Sequence, residues 1–139
     1  MSRRSDAAPL AAAPAGAEPR RDRGRRACLT GAEGERAVAR AYARRGAALL
    51  ATRWRGAGGE IDLVVLLAGV HVFCEVKTAR SFDAAAARLQ PAQMRRVHAA
   101  AAEFLAQAPD GQLSEVRFDL AVVDRHGRVE IAENAFGHF

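Results

Sequence analysis

The alternation of hydrophobic and polar positions predicts an α/β domain with two long helices and five strands. Apolar residues recur every three or four positions over 31–45 and from Pro91 to Gln107, which is the spacing of one helix face. Elsewhere they form short runs bounded by glycine-rich or polar segments, which is typical of strands. The predicted strands are 47–52, Glu60–Leu67, Val70–Lys77, Val116–Val123 and Arg128–Ala132.

The order of these elements, αβββαββ, indicates the architecture. The short connection of Ala68 and Gly69 between the second and third strands favours an antiparallel hairpin. Residues 78–90 are polar and alanine-rich, and we expect a loop there. A mixed β-sheet flanked by helices, in one domain over 28–139, is the fold class that this order predicts.

The positive charge of the chain is concentrated before this domain. Residues 1–27 carry seven arginines against three acids, a net charge of +4 out of +5 for all 139 residues. The segment is rich in Ala, Pro and Arg and has no apolar periodicity, so we expect a disordered basic tail. Such a tail either attracts phosphate groups without sequence preference or only solvates the protein.

Composition excludes two classes of protein, an integral membrane protein and a disulfide-rich secreted module. No stretch approaches the roughly 20 apolar residues that span a membrane. The chain has only two cysteines, Cys28 and Cys74, which cannot form a disulfide scaffold and whose spacing fits no metal site. We therefore expect a cytoplasmic protein in a reducing compartment.

The strand Val70–Lys77 carries the first candidate chemistry. Alternation places Glu75 and Lys77 on one face, at the end of an otherwise apolar strand. Lys77 is the only lysine beside twenty arginines, which suggests a role that arginine cannot fill. A structural Glu–Lys pair at a strand end explains the pattern equally well.

Asp62 lies between aliphatic residues in the preceding strand, where aspartate is uncommon. In the predicted hairpin, Asp62 and Glu75 are on adjacent strands. Two converging carboxylates repel unless a cation or a proton lies between them, and Mg²⁺ prefers such ligands together with water and phosphate oxygens. The alternative is a buried aspartate that accepts hydrogen bonds from backbone amides.

Further candidates surround this group. Glu35 shares the apolar face of the first helix, as a further metal-site acid or as a residue stabilised by the helix dipole. Arg53 and Arg55 flank Trp54 and either bind a nucleic-acid strand or are solvated beside an aromatic residue that closes the core. Arg80 follows the Lys77 strand and is a candidate phosphate contact. The last candidate is Asp119, which either supports the structure or is a further acid of the cleft.

These residues resemble the PD-(D/E)xK nuclease superfamily and, within it, the YraN family of small, largely uncharacterised bacterial proteins. The similar features are Glu35 on the opening helix, GEIDL at 59–63, FCEVK at 73–77, RFD at 117–119 and the Ala-Phe pair at 135–136. The set appears in order and covers nearly everything after the tail.

The resemblance implies a restriction-endonuclease-like core, similar to that of Holliday-junction resolvases, and a Mg²⁺ or Mn²⁺ cofactor. It implies that Asp62 and Glu75 are metal ligands with the Val76 carbonyl nearby, that Lys77 is the catalytic lysine and that Glu35 is the acid of the first helix. One departure is Gln93, which stands where related proteins have a second lysine; as a nucleic-acid contact it can hydrogen-bond a phosphate but supplies no charge.

The expected function is a Mg²⁺-dependent endonuclease-like activity on DNA, including branched or damaged structures. The alternatives are a nucleic-acid-binding or scaffolding protein without catalysis and an RNA-processing enzyme. Outside the tail the net charge is only +1, which favours weak binding, a homodimer or a protein partner.

Overall fold

The computed structural model describes residues 30–108 and 113–137, so the predicted tail and Cys28 lie outside the described residues. Three helices and five strands follow one another in the order αβββααββ. They are α1 (Gly31–Arg44), β1 (Ala48–Arg55), β2 (Glu60–Leu67), β3 (Val70–Thr78), α2 (Phe82–Ala87), α3 (Pro91–Ala106), β4 (Glu115–Val123) and β5 (Val129–Ala132).

The five strands form one mixed sheet in the order β1-β2-β3-β4-β5. The neighbours β1–β2, β2–β3 and β4–β5 are antiparallel, and β3–β4 is parallel. The parallel pair requires a crossover, which α2 and α3 provide. The mixed α/β sheet flanked by helices is therefore confirmed, as is the antiparallel hairpin of β2 and β3.

Helix α1 begins where the sequence predicts. Thr30 is its N-cap and accepts a hydrogen bond from the Glu33 amide, while the Glu33 side chain accepts one from the Thr30 amide. This reciprocal pair satisfies two backbone donors that the first helical turn leaves free. Beyond the last helical residue, Gly46 adopts a φ of 91°, a left-handed conformation that glycine adopts without strain.

The helices cover opposite faces of the sheet. Residues Val72 and Cys74 of β3 pack toward α1, whereas Phe73 packs toward α3, so the predicted alternation is confirmed. The α1 side contains Val38, Tyr42, Leu63, Val65, Ala121 and Val123. The α3 side contains Ile61, Val64, Val97, Ala100, Ala101, Leu105, Phe118 and Phe136.

The prediction of a loop over 78–90 is wrong, because helix α2 lies within it. The Ser81 side chain accepts a hydrogen bond from the Ala84 amide and caps the helix. Alanine has the highest helix propensity, and Ala85 is fully buried against Leu120 and Val122 of β4. A six-residue helix has too few positions to display a 3.6-residue pattern, so its stability depends on this packing.

Strand β1 is longer than the predicted 47–52. It continues to Arg55 because Trp54 and Arg55 pair with Ile61 and Glu60 of β2. The sequence pattern places residues 53–55 between the strand and the glycine-rich turn, but backbone pairing with β2 keeps them in the sheet. No helix in the described part of the chain has the length and apolarity to cross a membrane.

Candidate active site

The site forms where strands β2 and β3 separate. Their ladder runs from Leu67 and Val70 at the hairpin to Leu63 and Cys74, although β3 continues to Thr78. The alternation of the β2 side chains between the two sides of the sheet is also interrupted at this point. Ile61 packs on the α3 side and Leu63 on the α1 side, whereas unbroken alternation would place both on one side.

Asp62 lies at this interruption, between Ile61 and Leu63. Its side chain forms a hydrogen bond to β3 where the backbone pairing of β2 with β3 has ended. Its Oδ2 accepts a hydrogen bond from the Val76 amide at 2.9 Å. The side chain is thereby held against β3, next to Glu75. The predicted hydrogen bond of Asp62 to a backbone amide is therefore confirmed, although the residue is half-buried rather than buried, and the bond also brings two carboxyl groups together.

Glu75 is the buried centre of a polar cluster, which we define as Asp62, Glu75, Lys77 and Gln93, and the other three members are half-buried. Only 5% of Glu75 is exposed. Its Oε2 lies 3.3 Å from the Lys77 Nζ and accepts a hydrogen bond from the Gln93 Nε2 at 2.5 Å. The Gln93 Oε1 in turn accepts from Lys77 at 3.3 Å. The prediction that Glu75 and Lys77 project to one side is confirmed.

Burial raises the pKa of Glu75 to about 7, and the neighbouring Asp62 carboxyl contributes to the increase. Lys77 opposes it by favouring the charged form. The pKa of Asp62 is also raised by burial, and the Val76 amide and Lys77 lower it in part. Burial and the proximity of the Asp62 charge therefore favour the protonated form of Glu75 at a pH where isolated carboxyls are ionised.

This pair has the chemistry of a divalent-cation site. Two adjacent carboxylates repel each other, a bound cation relieves that repulsion, and Mg²⁺ is bound in proteins by one or two carboxylates with water and phosphate oxygens. In the described ranges, no three His, Cys, Asp or Glu side chains are grouped as a metal site. The protein ligands that the cluster offers to a cation are the two carboxyl groups of Asp62 and Glu75.

Glu35 is not part of that pair. Its Oε1 accepts a hydrogen bond from the Arg53 Nε at 2.9 Å, and its side chain is 16% exposed. Burial raises the pKa of Glu35, Arg53 lowers it, and the negative charge of Asp62 raises it. The predicted third acid thus influences the cluster electrostatically while its carboxylate is bound to an arginine. Arg53 has a φ of 50°, which is unusual for a residue other than glycine.

The predicted nucleic-acid contacts other than Gln93 lie outside the cluster. Arg55 is exposed, with its guanidinium 3.5 Å from Glu60. Arg80 is exposed and lines a groove beside the β4–β5 turn. Trp54 packs edge-on against Phe104 at 5.5 Å, so it closes the core as its structural interpretation predicts. Gln93 is the only one of the predicted contacts that joins the cluster.

A residue that the sequence does not single out, Glu103, holds the turn before Asp62. Its carboxylate accepts hydrogen bonds from the Ala57 and Gly58 amides, both at 2.7 Å. A Cβ atom at Gly58 would lie 2.8 Å from the Cβ of Ala99, so only glycine permits this contact with α3. The glycine-rich segment 56–59 signals such a close approach, but nothing in it identifies the acid on α3.

The remaining predicted acid, Asp119, is structural. It is fully buried and accepts hydrogen bonds from the Tyr42 hydroxyl at 2.6 Å and from Arg117 at 2.9 and 3.0 Å. The Asn134 amide donates a further bond at 2.8 Å. Such a set of partners offsets the cost of burying a charge. The RFD segment therefore joins α1, β4 and the chain after β5.

The fold and the cluster define a class of small α/β protein with a partly buried carboxylate–lysine site at the point where strands β2 and β3 separate. The sequence profile of the uncharacterised protein family UPF0102 matches residues 34–123. This range includes every member of the cluster. The chain belongs to this family.

Bacterial relatives extend the match over most of the chain. A UPF0102 protein of Ruegeria pomeroyi is 56% identical over 116 residues, covering 84% of this chain and 94% of the relative. One from Cereibacter sphaeroides is 55% identical over 106 residues, covering 76% and 91%. One from Dinoroseobacter shibae is 47% identical over 129 residues, covering 93% and 92%. Their names assign no activity.

Proposed function

We propose that this protein is a divalent-cation-dependent endonuclease of the PD-(D/E)xK type with a restriction-endonuclease-like core, and that it hydrolyses phosphodiester bonds in DNA. The observation that carries the proposal is the arrangement of Asp62, Glu75 and Lys77. Asp62 is fixed by the Val76 amide beside Glu75, and Lys77 lies 3.3 Å from Glu75. Two carboxylates and one amine on adjacent strands are a set suited to metal-assisted phosphodiester cleavage.

Asp62 and Glu75 would hold the cation, which is Mg²⁺ or Mn²⁺. When bound, such an ion neutralises phosphate charge and lowers the pKa of a coordinated water. The chain supplies the orientation. Because Asp62 is anchored to a backbone amide and Glu75 to Gln93, neither carboxylate has to be ordered when the ion binds.

Lys77 provides a positive charge beside Glu75. Its ammonium group is a compact charge that fits beside a water or a phosphate oxygen, whereas guanidinium is larger and planar. The side chain is 19% exposed, so the amine is held within the cluster and still reaches solvent. This placement suits the positioning of a nucleophile or the stabilisation of negative charge.

A second candidate function is nucleic-acid binding without cleavage. The observation that favours it is Gln93, which bonds both Glu75 and Lys77 and so engages two of the proposed catalytic groups. Under this alternative, the cluster would stabilise the protein, and binding would depend on surface arginines. The two functions differ in whether substitutions in the cluster abolish cleavage.

Cleavage of a labelled panel with Mg²⁺ or Mn²⁺ tests the proposal. The panel contains single-stranded DNA, duplex, flap, four-way junction and an RNA hairpin. We expect the wild type to cut at least one DNA substrate, and Asp62→Asn and Lys77→Met to lose this activity while remaining folded. Asp83→Asn, which changes an exposed acid on α2, is the matched control and should cut at the wild-type rate.

Three outcomes would contradict the proposal. One is cleavage that survives Asp62→Asn at the wild-type rate. Another is the absence of cleavage of every substrate by the wild type while binding survives both substitutions, which would establish the binding protein. Cleavage of the RNA hairpin alone would replace DNA with RNA as the substrate.

A further inference from the structure

Three arginines form a row along the outer side of α1, and we call them the arginine stripe: Arg36, Arg40 and Arg44. Each follows the previous one by four residues, so they occupy neighbouring positions on the helix surface. Arg40 and Arg44 are exposed and Arg36 is half-buried. At a rise of about 1.5 Å per residue, the stripe is about 12 Å long.

The charges of the stripe are not neutralised by the acids around it. Among the described residues, these acids pair with other arginines, and no ion pair is formed by the stripe itself. Like charges four residues apart repel each other on a helix, and only Arg44, in the last turn, is favoured by the helix dipole. The neighbouring pairs are Glu35 with Arg53 at 2.9 Å, Glu133 with Arg45 at 3.2 Å and Asp124 with Arg128 at 2.9 Å.

Grooves lie on both sides of the stripe. Arg36 and Arg40 line one groove together with Glu35 and Arg53 of the α1–β1 edge. Arg40 and Arg44 line the other, on the side of β5. The stripe is therefore the ridge between two grooves. The first groove contains Arg53, which lies between the two residues of β1 that pair with Leu63 and Ile61, the neighbours of Asp62 in β2. This groove is therefore on the side of the candidate active site.

We propose that the arginine stripe binds the sugar-phosphate backbone of a nucleic acid whose strand reaches the cluster at Asp62. This inference rests on the proposed function in taking nucleic acid as the substrate. A duplex strand carries one phosphate about every 3.4 Å along its axis, so about 12 Å of helix faces three or four phosphates. Guanidinium groups bind phosphate oxygens through paired hydrogen bonds, which suits a row of arginines.

The test is the salt dependence of binding by the full chain to a duplex of about 20 base pairs, measured in EDTA so that no cleavage is required. Each contact between an arginine and a phosphate contributes about 0.9 to the magnitude of the slope of log K against log salt, so removing one contact lowers that magnitude by about 0.9. We therefore expect the triple variant Arg36→Gln, Arg40→Gln, Arg44→Gln to lower the slope by about 2 to 3 and to bind about a hundredfold more weakly at 0.15 M salt.

Matched variants isolate the stripe. Arg125→Gln removes one exposed arginine of the β4–β5 turn with the same loss of charge and should leave the slope unchanged. Each single stripe substitution should lower the slope by about 0.9, and the triple lysine variant should keep the wild-type slope. The arginines of residues 1–27 are present in all variants and contribute equally. The single variants also provide the test should the triple variant not fold.

Several results would overturn the inference. One is a wild-type slope in the folded triple variant or in all three single variants. Another is an equal effect of Arg125→Gln, which would mean that only net charge matters. Poly-glutamate is titrated in parallel as a model of an acidic protein. A triple variant that binds the duplex as the wild type does but no longer binds poly-glutamate would assign the stripe to an acidic protein partner. Stripe-dependent binding without any cleavage would keep this inference and remove the proposed hydrolysis, so the two are separable.

Discussion

Glu75→Gln tests the electrostatics of the cluster through the pH dependence of folding. The pKa of Glu75 is raised from 4.5 to about 7 in the folded protein. The folded state therefore binds more protons than the unfolded state between these values, and the free energy of unfolding falls as the pH rises through that window. The sign is opposite to that of an ordinary salt-bridged glutamate.

The magnitude follows from the size of this increase. At about 1.4 kcal/mol for each pH unit, moving a carboxyl pKa from 4.5 to about 7 corresponds to about 3 kcal/mol. Because Glu75 is almost completely buried, solvent does little to reduce this value. The raised pKa of Asp62 contributes with the same sign. Glutamine retains the shape and the hydrogen-bonding capacity of a protonated glutamate and does not titrate.

The assay is urea unfolding of the wild type and of Glu75→Gln from about pH 4 to about pH 8, in EDTA. We expect the free energy of unfolding of the wild type, relative to that of the variant, to fall by about 3 kcal/mol over this range. Glu130→Gln, an exposed substitution on β5, should show no such change relative to the wild type. A constant difference between wild type and Glu75→Gln, or one that rises with pH, would refute the reasoning.

Three further substitutions test separate parts of the structure. Tyr42→Phe removes a hydrogen bond to the fully buried Asp119 and should cost about 2 kcal/mol in urea unfolding; a cost near zero would show that the network does not depend on this hydroxyl. Ser81→Ala removes the cap of α2 and should cost about 1 kcal/mol, which an unchanged unfolding midpoint would contradict. Lys77→Arg should keep duplex binding and lower cleavage by about a hundredfold or more, since a guanidinium does not fit the place of the ammonium. Wild-type cleavage by this variant would show that any cation serves there.

The strand that carries Glu75 and Lys77 could be predicted because its properties are local. Period-two alternation decides which side chains share a face, and an interior strand with buried neighbours obeys it closely. Both side chains therefore contact Gln93 as their common face requires. The capping residue Thr30 and the turn at Gly46 could be predicted for the same reason.

The interruption of the alternation at Asp62 could not be predicted. Alternation places Asp62 and Glu60 on one face, but Glu60 is exposed beside Arg55 while Asp62 bonds to β3. The difference arises because β2 separates from β3 at this point, which depends on tertiary packing rather than on the local pattern. Asp62 stands out in the sequence as an acid among aliphatic residues, but its hydrogen bond to the Val76 amide depends on the fold.

The partners of Glu35 and Asp119 were also beyond the sequence pattern. An acid on an apolar helix face and an acid in a strand both indicate a partner, but the pattern does not say whether it is a cation, an arginine or an amide. Arg53 binds Glu35, and Arg117 lies two residues from Asp119. Only the fold identifies these partners.

The most direct test of the central claim is a Mn²⁺ and Mg²⁺ titration of the full chain by calorimetry, with a non-cleavable phosphorothioate duplex present. This measurement does not require the substrate to be known. We expect one cation site in the wild type and in Asp83→Asn, and its loss in Asp62→Asn and in Glu75→Gln. Cation binding that persists in both cluster variants, or a wild type that binds no cation, would contradict the assignment of Asp62 and Glu75 as the metal site.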